Sequence, residues 1–187
     1  MSNRVIAVLE FNSIAVGVRA LDAIVKKAPV KVVQAKTICP GKFLILFTGD
    51  VASAEAAFNW GKETGLKFLI DELLITNLHE QVIPALEGRV ECVVWDALGI
   101  IESFSATAGI EAADIAAKRA DIQLLEIKTA SGIGGKSYVK LMGALESVEA
   151  AMQAGVQKIK EKGLLCSEVI IAQPHPDIKE FIIHGNK

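Results

Sequence analysis

Two long stretches of this chain are versions of one another. "VIAVLEFNSIAVGVRALDAIVKKAPVKVVQAKT", beginning at Val5, lies over "ALGIIESFSATAGIEAADIAAKRADIQLLEIKT", beginning at Ala97, at a constant offset of 92. That offset superposes Glu10 on Glu102, Ser13 on Ser105, Gly17 on Gly109, Asp22 on Asp114, Lys26 on Lys118 and Thr37 on Thr129. It then becomes 94, pairing Gly41 with Gly135, Lys42 with Lys136 and Gly61 with Gly155, and finally 96, pairing Ile75 with Ile171 and His79 with His175. A fixed period of this length means that one folding unit is used twice. The length changes fall where loops belong, so two domains are predicted, residues 1–92 and 93–187, joined near "LEGRVEC" at Leu86 to Cys92.

Each copy carries the same order of patterns. A strand (Val5 to Phe11; Ala97 to Ser103) precedes a helix marked by the stripe Ile14, Val18, Leu21, Val25 and Ala28, repeated as Ala106, Ile110, Ala113, Ala117 and Ala120. That spacing is helical. Two β-branched strands follow (Val30 to Ile38 and Phe43 to Thr48; Ile122 to Thr129 and Tyr138 to Met142), then a second helix and a last strand, "LLITNLH" or "VIIAQPH". The order β-α-β-β-α-β predicts an α/β (α+β) chain of two tandem ferredoxin-like domains, each an antiparallel sheet with its helices on one face.

Charge and hydropathy narrow the function classes. The 187 residues carry a net charge of −2 with no run of either sign, so no footprint for nucleic acid or an anionic membrane is present. Hydrophobic residues make up 51% of the chain and the mean hydropathy is +0.40, yet runs such as "FLILF" stop well short of the ~18 residues that span a bilayer. The surplus apolar surface is expected between subunits. "MSNRVIAVLEF" enters a strand without a signal-peptide layout, and three scattered cysteines, Cys39, Cys92 and Cys166, make no disulfide framework, so a reducing cytoplasm is expected.

"GIIESFSATAGIEAADIAAKRADIQLLEIKTASGIGGK", "GALESVEAAMQAG" and "VIIAQPHP" resemble the bacterial microcompartment shell domain. Its pattern is a Gly-x-x-Glu strand, an Ala-Ala-Asp helix carrying a Lys, a Gly-rich pore loop and a Pro-His strand. The first copy departs from it, with Ala7 at the first Gly and Asn77-Leu78-His79 before the end. Tandem copies in this order resemble the trimeric class of shell proteins. That resemblance implies a homotrimer with a pseudo-sixfold outline, tiling with other shell proteins into the facet of a microcompartment. Loop one (Ile38, Cys39, Pro40, Gly41) and loop two (Ser131, Gly132, Ile133, Gly134) would then line a central pore. Lys26, Lys118, His79 and His175 would lie on the tile rim, where neighbouring tiles pack.

"TICPGKF" resembles a member of that family in which the corresponding Cys is a ligand of an iron–sulfur cluster. The resemblance implies that three Cys39 thiolates share a [4Fe–4S] cluster at the trimer axis, with electron transfer across the shell and an encapsulated redox enzyme as a partner. Thiolates suit such a cluster, which ordinarily takes four; Ser131 replaces Cys in the second copy, leaving three.

The remaining candidates carry less chemistry. "SGIGGKS" lacks the four residues a phosphate loop needs between its glycines, and it lies between two strands rather than opening a helix. Cys92 and Cys166 read as packing residues. Glu10 and Glu102 are expected to accept backbone N–H groups at their helix N-termini. No histidine has a partner at nucleophile or metal spacing, so no enzyme is expected. The alternative to a shell protein is a ferredoxin-like regulatory domain that binds a small ligand and does not assemble.

Overall fold

The computed structural model describes residues 5–130 and 132–184. Strand β1 (Ile6–Phe11) leads to helix α1 (Ile14–Lys27), the hairpin β2 (Lys31–Ile38) and β3 (Lys42–Thr48), helix α2 (Val51–Gly65) and strand β4 (Leu69–Ile75). A short helix, α3 (Val82–Leu86), precedes the second round: β5 (Ala97–Ser103), α4 (Ala106–Arg119), β6 (Gln123–Thr129), β7 (Ser137–Gly143), α5 (Leu145–Glu161) and β8 (Leu165–Ile171). Helix α6 (Lys179–His184) follows. Both sheets are antiparallel and four-stranded, ordered β2-β3-β1-β4 and β6-β7-β5-β8. The duplicated ferredoxin-like topology is therefore present twice.

Helix starts follow local chemistry. Ser13 accepts the Val16 N–H and Ser105 the Ala108 N–H, filling donors that the first turn leaves open. Asp50 does the same for Ser53, whose hydroxyl and amide hold the Asp50 carboxyl below its usual range.

Contacts divide the chain into two compact units that do not coincide with the sequence copies. Unit 1 holds the described residues up to Leu78 together with Ala130–Gly135; unit 2 holds His79–Thr129 and the described residues from Lys136 on. In unit 1, β1 and β3 send Ala7, Leu9, Phe11, Phe43, Ile45 and Phe47 into a core closed by Ala20, Ile24, Ala57 and Phe58. In unit 2, α4 is buried along most of its length, its small Ala and Gly side chains allowing close packing. α3 packs against β6 and α4, which explains why His79–Leu86 belongs to unit 2.

The stripe that marks α1 in the sequence lies only partly on its core face: Leu21 and Ala28 pack against the unit 1 core. Gly17, Ala20 and Ile24 are buried against the unit 1 sheet, while Ile14, Val18 and Val25 are exposed. In α4 the matching residues Ala106, Ile110 and Ala117 are buried.

Candidate functional site

Loop one is a tight connection. β2 ends at Ile38 and β3 starts at Lys42, leaving Cys39, Pro40 and Gly41 to reverse the chain. The Cys39–Pro40 peptide is cis and Gly41 has φ +74°. Cys39 is a half-buried free thiol, and Pro40 and Gly41 are exposed. Loop two is longer, running from Thr129 at the end of β6 to Ser137 at the start of β7. Of its expected pore residues, Gly132 and Gly134 are exposed and Ile133 is half-buried; Ser131 lies outside the described residues.

The two loops meet at the backbone of Cys39. Its N–H donates to the Ala130 carbonyl at 3.2 Å. Ala130 is fully buried with φ 47°, a left-handed conformation uncommon outside glycine. Gly135 approaches from the other end of loop two: a Cβ built there would lie 2.9 Å from the Cys39 carbonyl oxygen, and its φ is +84°. Only glycine satisfies both conditions at that position. The thiol is thus carried on a turn clamped by the partner copy's loop, with both loops in unit 1.

A lysine–carboxylate pair follows each loop. Lys42 Nζ lies 2.7 Å from Glu10 Oε1, and Glu10 is 1% exposed. Its Oε2 is buried with no hydrogen-bond partner among the described residues. Lys136 lies 3.6 Å from Glu102 Oε2, where both are partly exposed. Cys166 first, and Glu102 second, hold the Lys136 ammonium above its usual range. These positions correct the expected role of both glutamates: the helix N-termini are capped by Ser13 and Ser105, and the carboxylates brace the lysines that follow the loops. Cys166 also departs from a packing role, having Glu102 at 3.9 Å. Cys92 does pack, beside Met142 Sδ at 3.8 Å.

The four residues expected on the rim separate into two settings. Lys26 is exposed and pairs with Asp22 at 2.6 Å. Lys118 pairs with Asp114 at 2.5 Å, and the other Asp114 oxygen accepts the His79 N–H at 2.8 Å. His79, Asp114 and Lys118 are therefore one cluster, extended by Gln81, which donates to the Ile122 carbonyl and accepts the Leu124 N–H. His175 is exposed, and its Nδ1 accepts the Asp177 N–H. Gln81 carries a role that no motif announced, while Asp114, in the Ala-Ala-Asp motif, and Ala130 and Gly135, in the Gly-rich loop, were placed by motif without their partners. Two of them were also marked as repeat matches, Asp22 with Asp114 and Gly41 with Gly135.

Among the described residues no group of three or more His, Cys, Asp or Glu could hold a metal ion. One chain supplies one loop thiol, so a multi-thiolate centre requires several chains. No described helix is long and apolar enough to cross a membrane.

The BMC domain family matches residues 6–84 and again 97–174. The chain is 37% identical to the bacterial microcompartment shell protein PduT of Citrobacter freundii, over 98% of this chain and all of that one. It is 34% identical to the shell protein EutM of Escherichia coli K12 over 49% of this chain and 93% of that shorter one, as one copy of the repeat would be. A microcompartment protein from Desulfitobacterium hafniense DCB, known by crystal structure, superposes with a TM-score of 0.89 at 41% identity, covering 95% of this chain and 98% of that one. Two tandem domains, a relative aligned end to end and a shared fold make this chain a member of the bacterial microcompartment shell-protein family, built from two BMC domains.

Proposed function

We propose that three copies of this shell protein close a pseudohexagonal ring, that the ring tiles with other shell proteins into a facet, and that its centre is a pore site made by three Cys39 residues. The observation that carries this reading is the meeting of the loops. A single-domain shell subunit supplies one pore loop; this chain supplies two, already side by side through the Cys39 N–H and the Ala130 carbonyl. Three such chains would complete a circle of six loops.

The donor chemistry at Cys39 fits an iron–sulfur cluster. The thiol is free, half-buried, and carried on a turn held by Ala130 and Gly135. Three thiolates would hold three irons of a [4Fe–4S] cluster, with Ser131 offering no fourth thiolate. Bound there, the cluster would supply a one-electron carrier between the two faces of the shell, with an encapsulated redox enzyme as its partner. The residues of this chain would supply the ligand thiol and the clamp that orients it.

The test is anaerobic purification followed by iron and sulfide determination per trimer, for the wild type and for Cys39→Ser. About one cluster per trimer is expected in the wild type and none in the variant. Iron absent from the reconstituted wild type, or retained by the variant, overturns the cluster assignment and leaves the shell role standing.

A further inference from the structure

We infer that Cys166 and Lys136 form an oxidative cross-linking site: a hydroperoxide converts the Cys166 thiol to a sulfenic acid, and the Lys136 amine condenses with it to give a covalent Sγ–Nζ bond. All the groups belong to unit 2, and nothing in the inference depends on the ring.

Three neighbouring strands bring the groups together. In the order β6-β7-β5-β8, Lys136 immediately precedes β7, Glu102 lies on β5 and Cys166 on β8. Glu102 is opposite Ser167 and Ser103 is opposite Leu165, which leaves Cys166 as the extra residue of a bulge. A bulge breaks the alternation of a strand and re-aims a side chain. Cys166 Sγ lies 3.9 Å from Glu102 Oε2, and Lys136 Nζ lies 3.6 Å from the same oxygen. Cys166 is also the largest influence holding the Lys136 ammonium above its usual range, ahead of Glu102. The thiol is half-buried and the Lys136 and Glu102 side chains are 45% and 42% exposed, so a small oxidant reaches the cluster.

The first copy has the ion pair without the thiol. Lys42 and Glu10 match Lys136 and Glu102, but the residue matching Cys166 at the offset of 96 is Ile70, in the equivalent bulge between Leu69 and Asp71. The lysine–carboxylate pair therefore serves the strand ends in both copies, and the second copy adds a nucleophile to it.

The chemistry balances with one oxidant. A cation beside a thiol favours the thiolate, the form that oxidants attack. Sγ attacks the hydroperoxide and the O–O bond breaks; sulfur is oxidised to the sulfenic acid while the hydroperoxide is reduced to an alcohol, or to water from hydrogen peroxide. Glu102 then takes one proton from the ammonium, and the Nζ lone pair attacks Sγ. The S–O bond breaks, and hydroxide leaves as water with a second proton from the nitrogen. Sulfenic acids are trapped in this way even by backbone nitrogens, and an amine is a stronger nucleophile than an amide. The flexible lysine stem lets Nζ close the gap. The product ties the end of loop two to β8 and removes one positive charge.

The test treats the whole protein with hydrogen peroxide, alkylates the remaining thiols, digests with trypsin and reads the peptides by mass spectrometry. The expected product joins peptide 129–140, uncut at Lys136, to peptide 163–179. Its mass is expected about 2 Da below the sum of the two, and dithiothreitol is expected to separate them. Lys136→Arg keeps the cation and removes the amine. In that variant the joined peptide is expected to be lost and Cys166 to run on to the sulfinic acid, about 32 Da heavier than the thiol. Wild-type Cys166 that reaches the sulfinic acid without a joined peptide would overturn the inference. So would a Cys166 disulfide as the main product, a thiol that stays reduced at peroxide levels that oxidise it in urea, or a Lys136→Arg variant whose Cys166 oxidises no further than that of the wild type.

Discussion

Lys42 closes loop one, and its partner Glu10 is almost wholly buried with a second oxygen that no described group satisfies. Breaking a buried pair strands a charge, whereas an exposed helix pair costs little to lose. Lys42→Met is therefore expected to lower the unfolding free energy by about 3–5 kcal/mol, against about 1 kcal/mol or less for Lys26→Met, both read from chemical denaturation. The sequence identified Glu10 and Lys42 as repeated residues but misassigned the glutamate. Strand position was visible there; the partner was not, because a contact between β1 and β3 depends on register across 32 residues. Cys39, by contrast, stood out at once, since its equivalent in the second copy is Ser131.

At the scale of elements, the two loops test the clamp on Cys39. Gly88 and Gly135 both have positive φ, but a Cβ on Gly88 meets nothing within 4 Å while one on Gly135 meets the Cys39 carbonyl oxygen at 2.9 Å. Gly88→Ala is expected to cost about 1 kcal/mol for the left-handed backbone alone. Gly135→Ala is expected to cost more and to speed Cys39 alkylation by iodoacetamide; equal costs and an unchanged rate would remove the clamp. Helix α2 carries a pH signature of its own. Asp50 has its folded pKa lowered by Ser53, so its stabilisation is present above the unfolded carboxyl value of 3.8 and is lost as pH falls through the folded one. Asp50→Asn cannot titrate, so its stability relative to wild type is expected to rise on acidification below about pH 4, as read by thermal melts. Element order and type were plain from periodicity and repeat spacing. The facing of α1 was not: an apolar stripe at helical spacing records burial without saying whether the covering surface belongs to the same chain.

For the whole molecule, the two copies share a topology and differ in what covers them. The segment after the first copy packs on β6 and α4, whereas Ile14, Val18 and Val25 of α1 stay exposed among the described residues. Those three side chains leave apolar surface uncovered in a chain whose described helices include none long and apolar enough to cross a membrane. Assembly beyond the ring is proposed to run through Lys26 and Lys118, so the double variant Lys26→Asp with Lys118→Asp is expected to lose sheets or tubes in electron micrographs of concentrated protein. Since Lys118 also braces Asp114, whose other oxygen accepts the His79 N–H, chemical denaturation of the same variant separates a rim defect from loss of that cluster.

The central claim is that three chains share one site at Cys39. Native mass spectrometry of anaerobically purified protein reads chain number and bound mass together. The expected result is a three-chain species carrying the mass of a single cluster, and a Cys39→Ser species of three chains without it. A wild-type species of any other chain number, or bound iron that survives the substitution, would contradict it.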